Sequence, residues 1–281
     1  MKKIVISAAL ILLSFSFFAD LPFNSQAQII ARSKPLIIAH RGGARESTEN
    51  TIEAFQRAAR IGADGIETDL RLTRDGVVVI YHDEIFGRVE GLPKPQQTRP
   101  VADMTYPELR ASPLTPVGDD AGNRHVPTLE DVLAKIKTGL LNIELKRGAN
   151  FDKLVDKTIE ILRATPARDR VVLEPPDLRT AEKLRKALGA DLKLHINPAY
   201  DTTVSFQESL EKVLKFKPHS ISVNFRKVSL EVIEKAHQSG VEVWAWTLDS
   251  PEIAGALWTL KVDAIKTDRP TALLDAFRRA R

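Results

Sequence analysis

The sequence predicts an α/β fold, a (β/α)8 TIM barrel with a β-hairpin arm and a loop-rich insertion over the C-terminal mouth. Three observations point there. Extended apolar segments alternate with amphipathic helical ones, the pattern of a parallel sheet with helices packed outside. Segments 65–72 and 77–82 are joined only by Thr73-Arg74-Asp75-Gly76, too short for a parallel crossover, so they pair antiparallel. With that arm set aside, eight strands remain. Several carry charged residues at or near their C-terminal ends, where barrels of this class place their chemistry.

The elements follow in order. Residues 1–27 read as a secretory signal peptide: Lys2-Lys3, an apolar run from Ile4 to Ala19, then Asn24-Ser25-Gln26-Ala27 with small residues before the expected cleavage. The run is shorter than the roughly 20 residues that cross a bilayer comfortably, so no stable span is expected after cleavage, and the protein is expected in the periplasm or secreted. No cysteine is present, which excludes thiol catalysis and a disulfide framework. Residues 28–281 form the barrel domain. Its strands are expected at 36–40, 65–72, 77–82 (the arm), 140–145, 170–174, 192–196, 220–224, 241–247 and 263–267. Helical patterns lie at 51–61, 128–137, 151–164, 178–188, 206–216, 229–239 and 251–259. The insertion, about 84–127, holds seven of the 16 prolines and a short helical pattern at 105–110; loops this long in compact domains are commonly functional. Thr267-Asp268-Arg269-Pro270 reads as the turn that closes the barrel.

The composition, 43% hydrophobic and 28% charged with a formal charge of +4, is that of a globular protein. The basic residues are dispersed and no recognition motif is visible, so nucleic acid is not an expected partner. The polar residues in the strands are more informative, because ionised side chains are rarely buried unless paired or metal-bound. Glu67 and Asp69 share one face of a strand, and Glu144 and Lys146 repeat that spacing on the next barrel strand. Three carboxylates in one poorly hydrated volume need a cation. A hard divalent ion suits oxygen donors; the alternative is a salt-bridge cluster with Arg41, Lys146 and Lys266. His40 and His82 are candidate acid and base, and either can fill either role. Arg41 and Lys146 suit phosphate oxygens, one as a fork and the other as a point charge. Trp246 is either a core aromatic or a stacking platform, and His195, Glu174 and Asn224 sit at strand ends where they either line the pocket or serve the structure.

In this order, His40-Arg41-Gly42, Glu49-Asn50-Thr51, Glu67-Thr68-Asp69, Thr73-Arg74-Asp75-Gly76, His82-Asp83, Glu144-Leu145-Lys146, Trp246-Thr247 and Thr267-Asp268-Arg269-Pro270 resemble the glycerophosphodiester phosphodiesterase (GDPD) family. The resemblance covers most of residues 36–275. It implies a TIM barrel that hydrolyses glycerophosphodiesters, small-molecule substrates, to sn-glycerol 3-phosphate and an alcohol such as choline, ethanolamine or glycerol. It further implies His40 and His82 as the acid–base pair, Glu67, Asp69 and Glu144 as metal ligands, and Arg41 with Lys146 on the phosphate. For an exported member it favours Ca2+ over Mg2+. Three departures stand out: Thr48 replaces a proline, Lys266 occupies a position that is usually aliphatic, and 170–179 lacks a Ser-Phe pair common in the family. The rival functions are a lysophospholipase D, a glycerophosphoinositol phosphodiesterase, and a non-catalytic exported binding protein. Nothing in the sequence fixes an oligomeric state.

Overall fold

A computed structural model describes residues 34–87, 99–117, 122 and 124–279. The expected signal peptide and part of the insertion lie outside the described residues. Among those described, eight strands close into a barrel: β1 (Leu36–Ala39), β2 (Gly65–Leu72), β6 (Leu140–Leu145), β7 (Val171–Glu174), β8 (Lys193–Ile196), β9 (Ser220–Asn224), β10 (Glu242–Trp246) and β11 (Ala264–Thr267). Each pairs in parallel with the next, and β11 returns to β1 with Leu36 opposite Ala264. β3 (Val78–Ile80) runs antiparallel to β2, with Leu72 opposite Val78. The hairpin expected from the four-residue turn is therefore present.

Helices α1 (Ile52–Ile61), α3 (Leu129–Lys135), α4 (Phe151–Arg163), α5 (Leu178–Leu188), α6 (Phe206–Phe216), α7 (Leu230–Gln238), α8 (Pro251–Thr259) and α9 (Pro270–Arg279) surround the barrel. Their apolar faces join the outward strand residues in one continuous core that includes Phe55, Leu141, Leu173, Leu210 and Val243. Side-chain oxygens cap the helix starts: Thr51 accepts from Ala54 N–H at 3.2 Å, and Asp177, Ser205, Ser229 and Ser250 act likewise. Such caps satisfy backbone donors that would otherwise have no partner. α9 is absent from the sequence reading, which placed a turn there. Pro270 does not end an element; it opens the helix, where its fixed φ and missing N–H cost nothing.

The insertion is more structured than its composition suggests. β4 (Ile85–Phe86) pairs with β5 (Arg99–Pro100), and α2 (Tyr106–Arg110) starts in a Thr105–Glu108 capping box. Phe86, Val101, Met104, Leu109, Leu114 and Val126 pack with Val79 and Tyr81 into a small second core. At the barrel rim, Val117 N–H donates to Thr48 Oγ1 at 3.4 Å. None of the described insertion residues lines the cavity below.

Candidate active site

The strand register fixes which side chains meet. Asp69 lies opposite Glu144, and Glu144 opposite Glu174, on adjacent parallel strands. Glu67 and Asp69 are buried, and one carboxylate oxygen from each of Glu67, Asp69 and Glu144 falls within 4.8 Å of the others. Glu67 and Glu144 open on a cavity of about 600 Å³ at the C-terminal ends of the strands, which His40, Arg41, His82 and Lys146 also line.

The first strand leaves the barrel through an unusual backbone. Arg41, Gly42 and Gly43 all have positive φ (52°, 86° and 95°). A Cβ on Gly42 would sit 2.8 Å from the Ala54 Cβ, so only glycine allows this approach to α1. Held in the left-handed region, a costly place for a non-glycine residue, Arg41 directs its N–H to Glu67 at 3.0 Å and its guanidinium to Glu49 at 3.1 Å. Its Nε lies 3.5 Å from Asp69.

Each histidine is held by a carboxylate. His40 Nδ1 donates to Asp268 at 2.6 Å, which turns Nε2 toward Glu67, 3.8 Å away. His82 Nδ1 donates to Asp83 at 2.7 Å, and Arg71 grips the His82 carbonyl with two guanidinium N–H groups at 3.0 and 2.7 Å. Such partners fix the tautomer and the ring orientation. Burial pulls the His40 pKa down, but the charges of Glu67 and Asp268 outweigh it and leave it raised. Burial prevails at His82, which is lowered despite Asp69 and Asp83.

The carboxylates respond to their surroundings in different directions. Burial and the Asp69 charge push Glu67 up. Asp69 suffers the same desolvation, yet Lys146, Arg41, His82 and the Asn50 amide (2.9 Å) bring it below the usual aspartate range. Burial, Glu174 and Asp69 push Glu144 up to about 7, although its side chain keeps 33% of its surface open to the cavity and water there moderates the effect. Lys146 bridges Glu144 at 2.8 Å and Asp69 at 3.6 Å.

The triad fits a cation. Asp69 Oδ1 is buried with no hydrogen-bond partner among the described residues, which carries a desolvation cost that a bound ion would remove. Burial first, and neighbouring carboxylates second, raise the pKa values of Glu67 and Glu144, and a cation beside them would favour their ionised forms. An all-oxygen donor set selects a hard divalent ion.

The other candidates divide. Glu174 and Trp246 line the cavity, and the Trp246 indole nitrogen is buried without a hydrogen-bond partner among the described residues. His195 does not line it and takes the structural one of the two roles left open for it. It pairs with Ser220, its Nδ1 2.7 Å from Ser220 Oγ, while Ser222, one inward position further along β9, reaches the cavity. His195 is thus one layer too deep, 0% exposed against Trp244. Burial and Lys266 hold its pKa well below the usual imidazole range. Asn224 caps a short turn by accepting from Arg226 N–H at 3.1 Å. Asp268, Asp83 and Asn50 were visible only as members of motifs. Nothing in the sequence joined Asp268 to His40 across 228 positions.

Residues 40–272 match the sequence pattern of the glycerophosphoryl diester phosphodiesterase family. The chain is 30% identical over 253 residues to a glycerophosphodiester phosphodiesterase of Caldanaerobacter subterraneus subsp. tengcongensis, covering 88% of this chain and 99% of the relative. A glycerophosphodiester phosphodiesterase of Bacillus altitudinis is 30% identical over 244 residues, 83% of this chain and 94% of the relative. Among solved structures, the glycerophosphodiester phosphodiesterase of Thermotoga maritima superposes with a TM-score of 0.70 at 26% identity, covering 89% of this chain and all of that one. With its ordered motifs gathered at one barrel mouth and its whole domain matched, the chain belongs to the glycerophosphoryl diester phosphodiesterase family.

Proposed function

We propose that this chain is an exported, divalent-metal-dependent phosphodiesterase that hydrolyses glycerophosphodiesters to sn-glycerol 3-phosphate and an alcohol. The observation that carries the proposal is the convergence of two carboxylate-held imidazoles, an arginine and a lysine around one acidic triad whose Glu67 and Asp69 are buried. Glu67, Asp69 and Glu144 would hold the cation, Ca2+ in preference to Mg2+, and when bound it would supply Lewis-acid polarisation and charge neutralisation at the phosphate. Arg41 and Lys146 bind the non-bridging oxygens. One imidazole takes the proton of the attacking oxygen, whether water or the substrate's neighbouring hydroxyl, and the other protonates the departing alkoxide. Without a cation the two imidazoles are displaced in opposite directions, as suits an acid and a base; positive charge beside Glu67 would cancel the main influence that raises His40. Export rests on the N-terminal signal pattern. Among the described residues no helix is long and apolar enough to cross a membrane.

Paired histidine variants test the chemistry. His40→Ala and His82→Ala should each lower release of sn-glycerol 3-phosphate from glycerophosphocholine by about 10²–10⁴ at saturating metal, with the fold unchanged by circular dichroism. Near-full activity in either variant would contradict the mechanism.

A further inference from the structure

Lys266 and Glu174 form an ion pair that the proposed chemistry does not use. They stand on β11 and β7, separated around the barrel by β8, β9 and β10. The 2.6 Å contact between Lys266 Nζ and Glu174 Oε2 therefore spans the lumen. Their side chains are only 4% and 9% exposed, yet both line the cavity. Two residues earlier on their own strands, on the same inward face, Ala264 and Val172 pack with Ile38 and Trp244 into an apolar plug. The pair is consequently the floor of the cavity, with apolar core on one side and the metal and phosphate groups on the other.

Such a floor is costly unless something uses it. A buried ion pair is often no more stabilising than an apolar pair of the same volume. Among the described residues the one hydrogen bond of the Lys266 ammonium goes to Glu174, and an ammonium has three donors. The Glu174 carboxylate is approached by Ser222 and by His195 Nε2 at 3.8 Å. The pair thus offers donors and acceptors side by side with no net charge. That chemistry suits neutral hydroxyls, which both donate and accept. It does not suit a quaternary ammonium, whose attraction to Glu174 is cancelled by Lys266. It suits an acyl chain least, because a methylene stack would cover the pair without replacing its hydration.

In a glycerophosphodiester the glycerol is common to every substrate while the alcohol varies. A closed floor suits the constant part, and an open mouth suits the variable one. Resting on the phosphodiesterase reading, we propose that the Lys266–Glu174 pair is a specificity element that binds the free hydroxyls of a deacylated glycerol moiety and rejects a glycerol bearing an acyl chain. Sites built to hydrogen-bond a hydroxyl discriminate strongly against analogues lacking it, since their own polar groups are then left unpaired.

The test compares three diesters at saturating Ca2+: glycerophosphocholine, a short-chain 1-acyl analogue kept below its micelle concentration, and bis(p-nitrophenyl) phosphate, which has no glycerol. The wild-type kcat/KM ratio of the first to the second should be about 10² or more. Glu174→Leu/Lys266→Met, which removes both charges and leaves no ion unpaired, should lower that ratio at least tenfold, with a much smaller change on bis(p-nitrophenyl) phosphate than on glycerophosphocholine. Glu174→Gln/Lys266→Met, which retains an amide, should keep an intermediate ratio; turnover of the third substrate confirms that each variant is folded. An unchanged ratio, a wild-type ratio near one, or an equal fall on all three substrates would overturn the proposal. Failure of the wild type on every diester would instead defeat the phosphodiesterase reading on which it rests.

Discussion

Asp268 acts on His40 through a single 2.6 Å hydrogen bond, so it is a positioning residue. Asp268→Asn keeps the shape and removes a charge that raises His40. Loss of such a supporting contact typically costs about 10–100-fold. kcat should fall by about that much, and the His40 limb of the pH–rate profile should move to lower pH; an unmoved limb would remove Asp268 from the mechanism. At Glu144 the folded pKa of about 7 lies above its ordinary 4.5. The folded protein therefore binds the proton more tightly between those values, and this group's contribution to stability declines as pH rises through that window. A cation that needs the carboxylate must displace the same proton. Its apparent affinity should climb as pH rises toward about 7 and level off above; isothermal titration showing no dependence would contradict this. Glu174 has the opposite sign. Burial raises it, but Lys266 and His195 bring it down to about 2, so its stabilising contribution is present above about 4.5 and is lost as pH falls toward 2. Lys266→Met alone leaves that carboxylate buried without its partner and should destabilise by about 3–5 kcal/mol, read as a fall in Tm.

The turn after β1 and the start of α1 aim the site, and both have local signatures. Gly42→Ala forces a side chain into positive φ against Ala54. It should cost about 1–3 kcal/mol and weaken phosphate binding through Arg41; a stable, fully active variant would deny the turn that role. Thr51→Ala removes the cap on Ala54 N–H and should cost about 1 kcal/mol with little effect on KM. The same elements explain what the sequence could disclose. The β2–β3 hairpin was legible because four residues cannot carry a parallel crossover. The acidic face was legible because period-two alternation carries Glu67 and Asp69 to one side. α9 was missed because proline both stops helices and starts them, and only the chain beyond Pro270 decides which. The second core of the insertion was hidden because Phe86, Val101, Met104 and Leu109 follow no single period. The role of His195 stayed open, since position along a strand gives direction and not depth.

The closed barrel unites these parts. β1 bonds to both β2 and β11, which brings His40 beside Asp268 and sets the triad of β2 and β6 against the Lys266–Glu174 floor. Arg41 and Lys146 stand over the acids, and the hairpin arm brings His82 to the same rim. On the proposed reading a cation would supply the counter-charge to these acids, so hydrolysis should depend on it absolutely. The most direct test is release of sn-glycerol 3-phosphate from glycerophosphocholine by the chain beginning at residue 28, with Ca2+, with Mg2+ and with excess chelator. The arrangement predicts product with Ca2+, less with Mg2+, and none with chelator until metal is restored. Undiminished release in chelator, or no release with either metal, would contradict it.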